Sequence, residues 1–252
     1  MSEFYGEDLA AVHASGFTDL AAAAADEVIG RLSRPSRIVE FGCGDGTTAQ
    51  QLCDAGHQVH GIDVSAAMIR LAKRREPRAT FEVGSFIDAT IPRCAAIIAV
   101  GEVFGYIAPG TREPAALGPV FARCREALDP GGVLMFDLAG PSRLEAREQR
   151  GWTAGPGWVV VNAYVESDTL IREIITFSDR GRAYRRSDET HRLQLHRPAE
   201  VLSQLRGNGF TARTLRRGYG TTKLPAGLTA YIAVRDGARA GVARGDPGGP
   251  LH

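Results

Sequence analysis

Val39-Glu40-Phe41-Gly42-Cys43-Gly44-Asp45-Gly46-Thr47 is the stretch that decides the fold. It predicts the end of a buried strand, a sharp turn and the start of a helix, because glycine permits turns that other residues resist. A second apolar run, residues 59–62, ends at Asp63. An acid about twenty residues after such a turn typically binds the hydroxyl groups of a ribose. Together the two segments predict a nucleoside-binding site.

The glycine turn differs from the dinucleotide fingerprint G-x-G-x-x-G, in which a pyrophosphate binds at a helix N-terminus. Here Glu40 precedes Gly42, Gly44 and Gly46, and a carboxylate at that place disfavours a phosphate but suits a cation. S-adenosyl-L-methionine (SAM) carries an ammonium and a sulfonium and has no phosphate. The residues therefore favour SAM over a dinucleotide, with Asp63 as the ribose acceptor.

Length, composition and charge restrict the class of protein. The 252 residues suffice for one large α/β domain, and 44% hydrophobic residues fit a folded chain. A net charge of +1 predicts that neither nucleic acid nor an anionic membrane is a partner. Because no apolar run reaches the roughly 20 residues that span a bilayer, and Met1 to Phe4 do not resemble a signal sequence, a cytoplasmic protein is expected.

The cysteines show neither a CxxC pair nor the spacing of a zinc site, so no metal is expected. They are predicted to be small buried side chains in a reducing compartment, although one of them lies inside the glycine turn. They are Cys43, Cys53, Cys94 and Cys124.

Strand and helix patterns alternate along the first half of the chain. The predicted strands are 37–41, 59–62, 80–83, 95–100 and 133–137. The predicted helices are 18–32, 47–55, one capped by Ser65 and one from Leu117 to Leu128. A final helix from Pro198 and two strands, near 211–216 and 227–234, follow later. This order predicts an α/β fold with a doubly wound, Rossmann-like, seven-stranded and mostly parallel sheet.

The alternation of strands and helices stops after the fifth strand. Three runs with strand character, 158–166, 169–178 and 182–195, are separated by turn residues. We therefore expect an antiparallel β insertion within 141–197 that covers one side of the pocket. Residues 1–16 are expected to form a short helix or lid. Residues 1–235 are interpreted as one domain, and 236–252 as a disordered tail.

Five segments together resemble class I SAM-dependent methyltransferases, over about residues 1–235. They are Glu40 to Gly46, Gly61 to Ser65, Val83 to Asp88, Ala99 to Tyr106 and Leu128 to Leu134. The resemblance implies SAM as the cofactor and S-adenosyl-L-homocysteine as its product. It implies a cofactor site formed by Glu40, Gly42, Cys43, Gly44, Asp63, Val64, Met68, Gly84, Ser85, Phe86 and Gly101. Ser85 stands where many members carry Asp, so its hydroxyl, the Phe86 amide or Asp88 is expected to serve the adenine.

Methyl transfer from a sulfonium depends mainly on alignment of the nucleophile and exclusion of water. An amine or phenol must also lose a proton, which a carboxylate or histidine can accept. The catalytic candidates are Glu102 after the fourth strand, His13 in the lid and His191 in the insertion. The candidates for lining the substrate site, or for contacting the sulfonium through their rings, are Tyr5, Phe104, Tyr106 and Tyr219.

Missing motifs favour a small-molecule acceptor with an N, O or C nucleophile, for example in natural-product metabolism. Gly101-Glu102-Val103-Phe104 replaces the Asn/Asp-Pro-Pro-Tyr of amino-directed enzymes, and it holds no Pro-Cys pair. No cluster of carboxylates and asparagine indicates a magnesium site. A non-catalytic SAM-binding protein remains an alternative. A nicotinamide-dependent oxidoreductase is less favoured because its glycine fingerprint and its Tyr-x-x-x-Lys are absent. Monomer and homodimer both remain open.

Overall fold

The computed structural model describes residues 4–13, 18–33, 35–143, 147–154 and 157–237. The helices are α1 (Glu7–His13), α2 (Thr18–Ile29), α3 (Thr47–Asp54), α4 (Ala66–Arg75), α5 (Leu117–Ala127) and α6 (Pro198–Gly207). The first five strands are β1 (Arg37–Phe41), β2 (Gln58–Asp63), β3 (Thr80–Val83), β4 (Cys94–Ala99) and β5 (Leu128–Ala139). The others are β6 (Glu148–Ala154), β7 (Gly157–Glu166), β8 (Thr169–Asp179), β9 (Tyr184–Gln194), β10 (Phe210–Thr214) and β11 (Leu228–Arg235).

The main sheet has seven strands in the order β10-β11-β5-β4-β1-β2-β3. Its five strands from β5 to β3 are parallel, whereas β11 is antiparallel to both β5 and β10. The prediction of a mostly parallel, seven-stranded sheet is confirmed. Because β1 lies between β2 and β4, the strand order reverses at β1, which is where such folds bind ligands.

Successive side chains of the central strands point to opposite faces of the sheet and contribute to two hydrophobic cores, one on each face. Ile97 and Phe136 pack with α5 and α6 on one face. Ile98 and Met135 pack with α2, α3 and α4 on the other. Strands covered on both faces are apolar almost throughout, which is why β4 reads as a continuous apolar run.

Short sequence signals predict where several of the strands and helices begin and end. The strands Arg37–Phe41 and Thr80–Val83 lie where the sequence predicts them, and Ser65 caps α4 by accepting the Met68 N–H at 3.1 Å. Residues 129–132, which lie between the predicted helix and the predicted fifth strand, are part of β5. The pairing of β4 with β5 shifts register there, so these residues form an irregularity within the strand rather than a separate loop.

A second, antiparallel sheet of β6-β7-β8-β9 forms the expected insertion. Strand β6 was not predicted, because Glu148–Ala154 is polar, contains Gly151 and lacks a regular apolar alternation. Leu9 and Val12 of α1 pack against Val159 and Ile174 of this sheet. We call α1 together with β6–β9 the cap.

Side-chain bonds hold α1 against the cap sheet. The Asp8 carboxylate accepts from Ser178 at 2.8 Å and pairs with Arg185 at 2.6 Å and Arg180 at 3.1 Å. The cap is joined to the segment that follows β4, where the Ile107 N–H donates to the Arg192 carbonyl at 2.9 Å. The cap therefore lies over the carboxyl ends of the parallel strands.

Two expectations concern the ends of the chain. The expected lid 1–16 contains α1, while residues 1–3 and 14–17 lie outside the described residues. The expected tail 236–252 lies outside them from residue 238 onward. Within the described part of the chain, no helix is both long and apolar enough to cross a membrane.

Candidate active site

A cavity of about 210 Å³ opens at the carboxyl ends of β1, β2 and β3 and beside the residues that follow β4; we call it the turn cavity. Its wall contains nine of the eleven residues of the predicted cofactor site: Gly42, Gly44, Asp63, Val64, Met68, Gly84, Ser85, Phe86 and Gly101. Because parallel strands end at the same edge of a sheet, loops far apart in the chain meet here.

The glycine turn needs glycine for two different reasons. Gly42 has φ 64°, and a Cβ there would lie 2.4 Å from a methyl carbon of Val103, so a side chain does not fit. Gly44 has φ 53°, and no described atom lies within 4 Å of an added Cβ. The main chain at Gly44 is therefore open to a ligand in the turn cavity.

Asp63 ties the glycine turn to the start of α4. Its Oδ2 accepts the Gly44 N–H at 2.9 Å, and its Oδ1 accepts the Ser65 N–H at 2.8 Å. Burial raises the pKa of Asp63. Each carboxylate oxygen retains a further lone pair, so the side chain can still accept from the hydroxyl groups of a ribose.

Glu40 and Cys43 are the two residues of the predicted cofactor site that lie outside the cavity wall. Cys43 is buried in the core on the α3 side of the sheet, and burial raises the pKa of its thiol. Glu40 is buried beneath the turn, and its Oε2 lacks a hydrogen-bond partner among the described residues. Burial raises the pKa of Glu40 to about 8. A cationic ligand at the turn would favour its ionised form.

The adenine end of the predicted site carries exposed apolar side chains. Val64 is 48% exposed and Ile87 is 43% exposed, and both line the turn cavity. A planar base would cover them. The Ser85 hydroxyl accepts the Ile87 N–H at 3.2 Å. The open main chain at Gly44, the orphaned Glu40 oxygen and this apolar pair all fit SAM.

A second cavity, of about 470 Å³, lies between the cap and the main sheet; we call it the cap cavity. Four residues line both cavities: Tyr5, His13, Gly101 and Tyr106. The Tyr5 and Tyr106 hydroxyl groups lie 3.2 Å apart, and burial raises the pKa of both phenols. Burial also lowers the pKa of His13, whose ring contacts Tyr5 edge-on. All three rings are therefore uncharged at neutral pH.

The turn after β4 brings Glu102 to the cap cavity. Gly101 and Glu102 both have positive φ, 93° and 66°. Asp137 holds them, because it accepts the Glu102 N–H at 2.6 Å and the Gly101 N–H at 3.1 Å. Burial raises the pKa of Asp137 to about 6. The role of Asp137 was not predicted, although an acid near the end of a buried parallel strand was a signal for it.

The Glu102 carboxylate lies between two guanidinium groups. Its Oε2 is 2.6 Å from Arg172 Nη2, and its Oε1 accepts from Arg143 Nε at 3.3 Å. The residues that surround it come from β8 and from the segment after β5, so neither pairing is visible in the sequence. The arrangement places a neutralised carboxylate on the wall of the cap cavity.

His191 is buried on β9 and lines the cap cavity. Its Nε2 lies 2.9 Å from Glu189 Oε2, and Glu189 also accepts the N–H groups of Tyr5 at 2.8 Å and Gly6 at 2.9 Å. Because the Glu189 carboxylate acts as the acceptor in both main-chain bonds, we assign His191 Nε2 as the donor to it. His191 Nδ1 then presents a lone pair, and it has no hydrogen-bond partner among the described residues. Glu189 was not predicted.

Two predicted substrate residues lie in the core rather than on a cavity wall, which corrects their assignment. Tyr219 is fully buried, and its hydroxyl donates to Asp137 at 2.8 Å. Phe104 is 2% exposed because its ring fills the core among Phe41, Phe86, Phe121 and Phe136. Both are positioned near the site but neither faces it.

Comparison with known proteins finds similarity to methyltransferases. Residues 38–132 match the family model described as a methyltransferase domain. A dTDP-3-amino-3,4,6-trideoxy-alpha-D-glucopyranose N,N-dimethyltransferase from Streptomyces venezuelae is 25% identical over 83% of this chain and 87% of its own length. A trans-aconitate 2-methyltransferase from Acidovorax is 33% identical, over 47% of this chain and 44% of its own length.

Solved structures share the fold. A sugar N-methyltransferase from Streptoalloteichus superposes with a TM-score of 0.73 at 18% identity, over 94% of this chain and 97% of that one. The chain therefore has the Rossmann-like fold that these methyltransferases share. The family match, the fold and the glycine turn make this chain similar to SAM-dependent methyltransferases.

Proposed function

We propose that the protein transfers the methyl group of SAM to a small molecule bound in the cap cavity. The observation that carries this proposal is the wall shared by the two cavities, formed by Tyr5, His13, Gly101 and Tyr106. Two ligands that meet at one wall can be held in line for displacement, and such alignment supplies much of the rate. Two of the relatives are named for an amino sugar and for trans-aconitate, which supports a small-molecule acceptor.

When bound, SAM supplies an electrophilic methyl group and leaves as the neutral thioether S-adenosyl-L-homocysteine. We assign the main chain at Gly42 and Gly44 to its methionyl part, with Glu40 beneath as the counter-charge to its ammonium. Asp63 accepts from the ribose. Val64, Met68, Ser85 and Phe86 contact the adenine, and Gly101 borders the methyl.

We assign the acceptance of the proton to His191. Its Nδ1 lone pair has no partner among the described side chains, and Glu189 fixes its tautomer. Glu102 is the second candidate, but its charge is already paired with Arg172 and Arg143. His13, uncharged and on the wall of both cavities, is the third.

The cap has the second task of excluding water from the reacting atoms. Glu189 accepts from Tyr5 and Gly6, and Ser65 Oγ donates to the Tyr5 carbonyl at 2.7 Å. These bonds hold the segment before α1 between the cap sheet and α4. Neutral Tyr5 and Tyr106 rings beside the methyl would also favour a cationic sulfur.

The test uses the protein with SAM labelled on its methyl carbon and a panel of small amines, phenols and carboxylic acids. We expect calorimetry to detect S-adenosylhomocysteine binding and the label to move to at least one class of acceptor. Binding with no transfer to any acceptor would favour a non-catalytic SAM-binding protein. Absence of S-adenosylhomocysteine binding would overturn the proposal. If the protein bound a nicotinamide dinucleotide instead, a nicotinamide-dependent oxidoreductase would become the favoured function.

A further inference from the structure

We infer that the acceptor is a largely apolar, uncharged molecule that reacts through a single N–H or O–H group, and not a nucleotide-linked sugar. The inference rests on the proposed function, because it names the substrate class of the cap cavity. Three observations on the described residues carry it: the apolar wall, the carboxylate contact of each guanidinium on that wall, and an orphaned polar atom on a wall residue.

Apolar side chains from three parts of the chain form most of the wall. They come from α1, from the inner face of the cap sheet and from the start of β11, and they include Leu9, Val12, Val159, Val161, Ala163 and Leu228. Burial of apolar ligand surface against such a wall is favourable in proportion to its area. A sugar, with a hydroxyl on most carbons, would leave those hydroxyl groups without partners there.

The charged groups on the wall are already paired with one another. Arg172 and Arg143 share the Glu102 carboxylate, and Arg150 is paired with Glu148. Proteins that bind phosphates offer unpaired arginines, lysines or main-chain N–H groups. Within the described residues, each of these guanidiniums contacts a carboxylate, although Arg172 and Arg143 share one, so a diphosphate would have to compete with Glu102 and Glu148 for them.

One polar atom on the wall is without a partner. His191 Nδ1 is buried and forms no hydrogen bond with the described residues. The His191 ring lies 5.0 Å from the Tyr5 ring and 5.7 Å from the Tyr106 ring, between centroids. Since those two tyrosines border the turn cavity, the ring that carries the orphaned Nδ1 lies on the side of the cap cavity next to the turn cavity. One N–H or O–H of the acceptor would satisfy that atom.

The test measures binding directly, so it does not depend on the natural acceptor. The protein is first saturated with S-adenosylhomocysteine and then titrated with N-phenyl-1-naphthylamine, a neutral, apolar, fluorescent amine. We expect saturable binding of one probe per chain, with thymidine diphosphate at the same concentration unable to displace it. The inference is overturned if the probe does not saturate, or if thymidine diphosphate displaces it.

Two neighbouring valines provide a matched pair of variants. Val161 lines the cap cavity, whereas Val160 is the next residue on β7 and points to the opposite face of the strand. Val161→Thr places a hydroxyl against the probe and should raise its dissociation constant roughly tenfold. Val160→Thr should leave the constant unchanged. Equal effects of the two variants would locate the probe outside the cap cavity and overturn the inference.

A third variant separates binding from folding. Ala163→Phe fills the cavity and should abolish probe binding while S-adenosylhomocysteine still binds. Transfer of the label to thymidine-diphosphate amino sugars in preference to apolar amines would overturn the inference and leave methyl transfer intact. A different result, failure of the unmodified protein to bind S-adenosylhomocysteine, would contradict the proposed function itself.

Discussion

Glu189 Oε2 accepts from His191 Nε2 at 2.9 Å and from the Tyr5 main-chain N–H at 2.8 Å. Glu189 Oε1 accepts the Gly6 main-chain N–H at 2.9 Å. One side chain of β9 therefore orients the histidine and also holds the segment that precedes α1. Docking of that segment and orientation of His191 are linked through Glu189, which lies outside both cavity walls.

Removal of His191 should lower turnover without loss of the cofactor. In His191→Ala we expect kcat to fall about 100-fold or more, since a positioned base contributes roughly that much. Added imidazole should restore part of the rate, because the variant leaves space at the histidine. The matched control is His57→Ala, since His57 is also buried but lies outside both cavities. A full rate without imidazole would exclude His191 as the base.

Glu102→Gln should reduce turnover by about tenfold or more while SAM affinity changes little. The substitution leaves the Arg172 guanidinium, 18% exposed, without its carboxylate. The double variant Glu102→Gln/Arg172→Met removes both charges. Recovery of kcat in the double variant would show that Glu102 serves to neutralise Arg172. Equal losses of turnover and SAM affinity in the single variant would instead identify Glu102 as a cofactor ligand.

Asp63→Ala should weaken SAM binding by roughly 1–3 kcal/mol, the usual effect of losing buried hydrogen bonds to a ligand. The variant also removes the acceptor for the Gly44 and Ser65 N–H groups. Calorimetry with S-adenosylhomocysteine measures the change, and Asp54→Ala is the control because Asp54 is exposed. An unchanged dissociation constant for Asp63→Ala would remove this residue from the site.

Glu40 should make the ligand-free protein less stable as the pH rises. Burial raises its pKa from 4.5 to about 8, so the stability contributed by the protonated acid is fully present below about pH 4.5 and is lost as the pH rises through 8. Glu40→Gln does not titrate. Its free energy of unfolding relative to the unmodified protein should therefore increase with pH across that window, by at most about 1.4 kcal/mol per pH unit.

Urea denaturation at several pH values measures this difference, with Glu113→Gln as the exposed control. Saturation with S-adenosylhomocysteine, which carries the same ammonium, should reduce the slope because a cation favours the ionised acid. A difference that does not change with pH would mean that Glu40 is ionised in the ligand-free protein.

The fold could be predicted where the pattern of each segment is strong by itself. Strands Arg37–Phe41 and Thr80–Val83 have the predicted bounds, and the Ser65 cap followed from one residue type before an apolar helix. Strand β6 escaped prediction because Glu148–Ala154 has a polar sequence and becomes a strand by pairing with β7. Tertiary pairing decides such segments more than local propensity does.

The sequence by itself determined the seven-stranded sheet and nine of the residues that line the turn cavity. Gly44 follows β1 and Asp63 ends the neighbouring parallel strand β2, so the strand order brings the Gly44 N–H to the Asp63 carboxylate, at 2.9 Å. Only the tertiary structure decided which polar and aromatic groups face the cap cavity. Phe104 and Tyr219 lie in the core, whereas Tyr5 and Tyr106 lie on the wall that the two cavities share. Glu189 accepts the Tyr5 main-chain N–H although the two residues are 184 positions apart in the sequence. Burial and pairing of this kind depend on contacts between distant segments, which no local pattern records.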